Sequence, residues 1–183
     1  MKLDSEKHEI KGLCYCIRSA KETDAKELSR ILLLIDGETE NMDRESGEGC
    51  FDEEKFKELI KEDSKAENHI FLVVEVEGVL AGFSRCEGNT LKRMKHKAEF
   101  GVCVCKEFWG HQMGRKLLEC TISWADKIGL EKIELSVLET NKKAISLYLE
   151  LGFEVEGLIR KDKRLSDGSF YDTIAMGRLR QLT

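Results

Sequence analysis

A mixed α/β fold, one sheet flanked by helices, is what the order of patterned segments predicts: strand, two helices, strand hairpin, strand, helix, strand, helix, strand, strand. Three observations carry this. Apolar runs with β-branched residues alternate with three- and four-residue helical periodicity along the whole chain. An apolar run holding Phe100, Val102 and Val104 passes through a turn with two glycines, Gly110 and Gly114, into a helical pattern of Met113, Leu117, Leu118, Thr121, Ile122 and Ala125. No repeat, linker or low-complexity stretch divides the 183 residues, so they make a single domain.

Residues 1–12 are polar and read as a loose lead-in, which leaves 13–183 as the domain. Residues 13–18 alternate as a first strand. Thr23-Asp24 can cap a helix running to about Asp36, with Ala25, Leu28, Ile31, Leu32 and Ile35 on its apolar side. Residues 37–49 (GETENMDRESGEG) are acidic and glycine-bearing, hence a loop between helices that can line an entrance or simply be solvated. Asp52 opens a second helix, with Phe56, Leu59 and Ile60 as its stripe. Two apolar runs then flank Glu77-Gly78, the spacing of a hairpin with a tight turn. The basic segment 91–97 (LKRMKHK) reads as a loop. Gly129 ends the long helix in the manner of a left-handed cap. Residues 132–138 alternate as a strand, Asn141 caps a helix that Gly152 stops, and residues 153–159 and 170–179 give two last strands around a polar turn. The chain has no proline, so its sharp turns are expected from Gly, Asn, Asp and Ser.

Apolar residues at 41% and charged residues at 36% describe a globular domain with a well-solvated surface. No apolar run approaches the roughly 20 residues that span a bilayer, and the N-terminus lacks the apolar core of a signal peptide. A cytoplasmic protein without a membrane partner is the expectation. Net charge is −5, which speaks against a nucleic-acid partner. Seven cysteines, an odd number without a C-x-x-C pair, read as reduced thiols rather than a zinc cluster or disulfide framework. The four histidines show no metal-ligand spacing, and no phosphate-binding G-x-x-x-x-G-K-[ST] occurs.

The strand–turn–helix at 98–125 has its own chemistry. Such a turn aims unpaired N–H groups and the positive end of a helix dipole at one point, a site for phosphate or another anion, although many such turns only redirect the chain. Behind it, SVLETNKKAISLYLELGF (136–153) carries Asn-x-x-Ala-x-x-x-Tyr-x-x-x-Gly-Phe at Asn141, Ala144, Tyr148, Gly152 and Phe153. Together with 102–115, this segment resembles the GCN5-related N-acetyltransferase (GNAT) superfamily. The tail GLIRKDKRLSDGSFYDTIAM is similar to the branch that acetylates amino acids, polyamines, aminoglycosides and ribosomal-protein N-termini, with Gly157 and Asp172 where that branch often has them. The turn departs from the family's Arg/Gln-x-x-Gly-x-Gly/Ala. Gln112 stands where a glycine is usual, so its backbone is expected to avoid the left-handed region and its side chain to turn outward.

The resemblance implies the GNAT fold, a mixed, mostly antiparallel sheet splayed between its two central strands. It implies acetyl-CoA as cosubstrate, no metal, and direct attack of an amine in a ternary complex. Val102, Cys103 and Val104 would pair with the pantetheine arm like an added strand. The turn Trp109, Gly110, His111, Gln112, Met113, Gly114 and Arg115 would hold the pyrophosphate. Asn141 and Ala144 would lie along the arm, Asn141 serving also or only as a helix cap. Tyr148 would give a proton or hydrogen bond to the departing thiolate, its alternative being a buried structural tyrosine. Glu99 would act as base through water, with Tyr171, Asp172 and Glu87 as other candidates. The acceptor implied is a small-molecule amine such as an amino acid or polyamine. A protein N-terminus and a CoA-binding module without turnover are the alternatives, and both monomer and homodimer remain open.

Overall fold

The computed structural model describes residues 3–49 and 51–181. Cys50, one of the seven cysteines, lies outside the described residues. The elements are β1 (Glu6–Ile10), β2 (Leu13–Ser19), α1 (Ala25–Glu38), α2 (Glu53–Lys65), β3 (His69–Val76), β4 (Val79–Gly88), β5 (Lys97–Val104), α3 (Met113–Ile128), β6 (Lys132–Leu138), α4 (Lys142–Glu150), β7 (Glu154–Arg164) and β8 (Phe170–Leu179). Eight strands form one sheet in the order β1-β2-β3-β4-β5-β6-β8-β7. Every neighbouring pair is antiparallel except β5 and β6, which α3 joins as a parallel crossover.

Each face of the sheet buries its own apolar cluster. Leu28, Ile31 and Ile35 of α1 and Phe56 and Ile60 of α2 pack on Phe71, Val73 and Leu80. On the opposite face Leu117, Leu118 and Trp124 of α3 and Tyr148 of α4 meet Leu72, Val74, Phe100, Ile133 and Leu135. The period-2 alternation of the central strands supplies both clusters, since successive side chains point to opposite faces. Leu117, Leu118 and Leu72 are fully shielded from solvent, and each stabilises the fold by roughly 1.5–3 kcal/mol.

Local signals set the element ends. Asp52 accepts from the Lys55 N–H at 2.9 Å and starts α2; Asn141 does the same for α4 through the Ala144 N–H at 3.3 Å. Gly129 and Gly152 take the left-handed conformation where their helices stop.

Four expectations need correction. The lead-in is not loose throughout: residues 6–10 pair with β2 from Glu6↔Ile17 to Ile10↔Leu13. Ile10 is the only apolar residue of EKHEI, so no period-2 alternation marks the segment. Helix α1 takes in Gly37 and Glu38, and β7 continues five residues past Ile159 to Arg164. That strand crosses an irregularity at Lys161, whose φ is +53°. Nor do the sharp turns rest on Gly, Asn, Asp and Ser alone. The two-residue hairpin turns Lys11-Gly12 and Glu77-Gly78 both place a long side chain at positive φ, +52° and +49°. A twist-matched hairpin turn demands that backbone, and both side chains are exposed.

Candidate active site

Parallel pairing of β5 with β6 lasts three residues, from Lys97↔Lys132 to Glu99↔Glu134, and then stops. Both strands run on, to Val104 and Leu138, while their other edges stay hydrogen-bonded to β4 and β8. The result is a wedge-shaped opening through the sheet. Its walls include peptide groups that no strand satisfies. Cys105 donates its N–H to Ala81 of β4 at 2.9 Å. Peptide groups alternate in direction along a strand, so those of Phe100, Val102 and Val104 face the opening. The Val104 carbonyl accepts from the Trp109 indole N–H at 2.8 Å, which pins the indole beside the slot.

A cavity of about 720 Å³ fills this opening. It is lined from both faces of the sheet, by Thr39, Asn41, Met42 and Asp43 from the acidic loop and by Ala144, Leu147 and Tyr148 from α4. Of the residues singled out in the sequence, Glu99, Val102, Cys103, Val104, Trp109, Gly110, Gln112, Met113, Gly114, Arg115, Asn141, Ala144 and Tyr148 all border it.

His111 is the exception. Its ring turns back toward β1, with Nδ1 3.3 Å from the Ile10 carbonyl, and its own carbonyl accepts from the Tyr15 hydroxyl at 3.2 Å. The side chain is therefore held toward β1 at the rear of the turn.

Gln112 also departs from expectation. Its backbone is left-handed, φ +58° and ψ +18°, where avoidance was expected. Its side chain is exposed, as expected. The turn needs positive φ both at Gly110 (+87°) and at Gln112 to bring the chain into α3. An unbranched side chain tolerates that at a cost of roughly 1–2 kcal/mol. The first peptide N–H to bond within α3 is that of Lys116, to the Gln112 carbonyl at 3.0 Å. Those of Met113, Gly114 and Arg115 have no backbone partner among the described residues and stand at the positive end of a 16-residue helix, the arrangement that receives phosphate. The sequence reading missed three nearby cations. The Lys11 ammonium lies 4.0 Å from where a Cβ on Gly110 would sit, and Lys143 and Lys163 line the cavity. Lys143 could have been found in the first turn behind Asn141; Lys11 and Lys163 arrive through hairpins with no local signal.

Tyr148 is buried against Phe153, ring centroids 5.8 Å apart, and its hydroxyl has no hydrogen-bond partner among the described residues. Burial pushes the phenol up to about 12, so it stays protonated. Glu99 sits at the apex of the wedge, exposed and without an ion-pair or hydrogen-bond partner among the described residues. The other carboxylates and phenols considered there are committed elsewhere. Glu87 pairs with Arg85, Asp172 accepts from the Lys161 N–H at 2.8 Å, and Tyr171 donates to Asp167 at 2.6 Å. Asn141, which borders the cavity, uses its carbonyl oxygen as the α4 cap, and its amide N–H₂ has no partner among the described residues.

The loop 39–49 borders the cavity through Thr39, Asn41, Met42 and Asp43. Asp43 forms an ion pair with Lys163 of β7, and Glu40 accepts the Ser166 N–H at 2.8 Å. These contacts tie the loop to the β7–β8 hairpin.

Comparison with known proteins agrees with this geometry. The chain is 30% identical over 110 residues to the L-amino acid N-acetyltransferase AaaT of Escherichia coli, covering 60% of this chain and 67% of that one. A GNAT-family acetyltransferase from Streptococcus pneumoniae superposes with a TM-score of 0.87 at 28% identity, over 91% of this chain and 99% of that one. The fold also matches yncA of Salmonella typhimurium, a structure described with its cofactor acetyl-CoA, at a TM-score of 0.78 and 22% identity over 90% of this chain and 93% of that one. The sequence model of the acetyltransferase (GNAT) family matches residues 37–153, from the end of α1 to Phe153, and the chain belongs to that family.

Proposed function

We propose that the protein transfers acetyl from acetyl-CoA to the primary amine of a small metabolite, in a ternary complex. The observation that carries this is the wedge between β5 and β6, with peptide groups on one wall that no strand pairs and the N-terminus of α3 at its end. These residues fit the coenzyme. The peptide groups of Val102 and Val104 would hold the pantetheine arm, the amides from Gly110 to Arg115 the pyrophosphate, and the Asn141 amide a carbonyl of the arm. Acetyl-CoA supplies the acetyl group as an activated thioester. Glu99, uncommitted at the apex, draws a proton through water from the incoming ammonium, whose pKa is about 10 in solution. Tyr148 enters from the opposite face and donates a hydrogen bond from its hydroxyl to the departing sulfur.

The tie between loop 39–49 and the β7–β8 hairpin supports a small acceptor over a peptide. A protein N-terminus needs an open groove there, and the Asp43–Lys163 and Glu40–Ser166 contacts close it. Calorimetric titration with CoA, followed by thiol release across a panel of amino acids, polyamines and N-terminal peptides, tests the reading. Saturable CoA binding with turnover on a free amine is expected. Turnover on peptides alone would overturn the small-acceptor assignment, and CoA binding without transfer to any amine would make the protein a binding module.

A further inference from the structure

Away from the wedge, on the face of β1 that meets α3, three metal-ligating side chains converge. Glu6 and His8 are two apart on the strand and so share a face; Cys120 reaches them from α3. One donor atom from each lies within 4.8 Å of the other two. The Cys120 sulfur is 3.6 Å from the Glu6 carboxylate. Two ligands at about 2.0–2.3 Å from a tetrahedral ion stand about 3.5 Å apart, so this pair already has the spacing of shared coordination. His8 supplies an independent observation. Its Nε2 is shut off from solvent and has no hydrogen-bond partner among the described residues, an uncommon state for a buried ring nitrogen. The ring is held in place by Tyr15, centroids 5.3 Å apart.

We propose that Glu6, His8 and Cys120 bind a divalent ion of the zinc class, with water as the fourth ligand. Thiolate, imidazole and carboxylate together form a borderline-soft donor set, which suits Zn²⁺ and does not suit Mg²⁺ or Ca²⁺. Cys120 lies 114 positions from Glu6 in the chain, and for that reason no spacing motif announces the ligands. The ion would pin the first strand of the sheet to α3. Tyr15, which supports His8, also donates to His111 in the turn, so the site sits directly behind the coenzyme loop.

Cobalt titration of the reduced, desalted protein tests this, because a thiolate ligand gives a near-ultraviolet charge-transfer band. One Co²⁺ per chain with that band, displaced by Zn²⁺, is expected. Cys120→Ser should abolish the band, and Cys14→Ser with Cys16→Ser, which removes the more accessible β2 thiols, should leave it intact. His8→Gln keeps the half-buried strand position and should weaken Co²⁺ by at least about tenfold with the circular dichroism unchanged. It provides the decisive reading should Cys120→Ser fail to fold. Absence of the band in the native chain, its survival in Cys120→Ser, its loss with the β2 thiols, or unchanged affinity in folded His8→Gln would each overturn the site.

Discussion

Replacing Tyr148 by Phe removes one oxygen and nothing else from the cavity wall. The ring keeps its packing on Phe153, and no hydrogen bond to the described residues is lost, because the hydroxyl makes none with them. Stability at neutral pH should therefore stay within about 0.5 kcal/mol. The catalytic effect follows from the acidity of the phenol. Burial holds it at about 12, whereas a departing thiol has a pKa of about 8.5. Full proton transfer is then uphill by about 3.5 units, or about 5 kcal/mol, so the phenol serves as a hydrogen-bond donor to developing sulfur charge. A hydrogen bond to a charged group is worth about 1.5–3 kcal/mol, which converts to a loss in kcat of roughly 10- to 150-fold. Thiol release at saturating acetyl-CoA and amine measures it, with CoA affinity followed by calorimetry as control. A folded Tyr148→Phe protein with unchanged kcat would refute the assignment.

Four further outcomes are expected. Glu99→Gln should lower kcat/KM about 100-fold near neutral pH, with the deficit shrinking as the medium approaches pH ~10 and the amine deprotonates unaided; a deficit independent of pH would remove Glu99 as base. Gln112→Gly should raise the unfolding free energy by about 0.5–1 kcal/mol in urea titration, because the φ of +58° suits glycine; a lower midpoint would contradict strain at that position. Lys11→Ala should weaken CoA binding about 2- to 5-fold at low salt and less at high salt; no change at low ionic strength would place the ammonium away from the phosphates. The buried neutral phenol of Tyr148 favours the folded state, so its contribution is constant below about pH 10 and lost as pH rises toward 12, by about 2–3 kcal/mol. Tyr148→Phe should accordingly lose less stability than the native chain between pH 9 and pH 12; equal losses would show that burial does not shift the phenol.

The chain by itself determined what depends on near neighbours. Helical periodicity marked α1, α2, α3 and α4, and Asp52, Asn141, Gly129 and Gly152 marked their ends, because caps and apolar stripes act within a turn or two. The motif around Asn141 and Tyr148 named the family for the same reason: its residues are local. Distant segments decided the rest. Residues 6–10 become a strand only because β2 offers them an edge. Gln112 takes left-handed backbone because β5 and α3 must be joined at a fixed angle. Glu99 stands apart from Glu87, Asp172 and Tyr171 only once Arg85, Lys161 and Asp167 are seen to engage the others. Lys11, Lys163 and the Glu6–His8–Cys120 cluster exist as sites through pairings between residues far apart in the chain. Local free-energy preferences can be read from a window of residues. The company a side chain keeps across the sheet is settled by which apolar faces bury together, and that is a property of the whole fold.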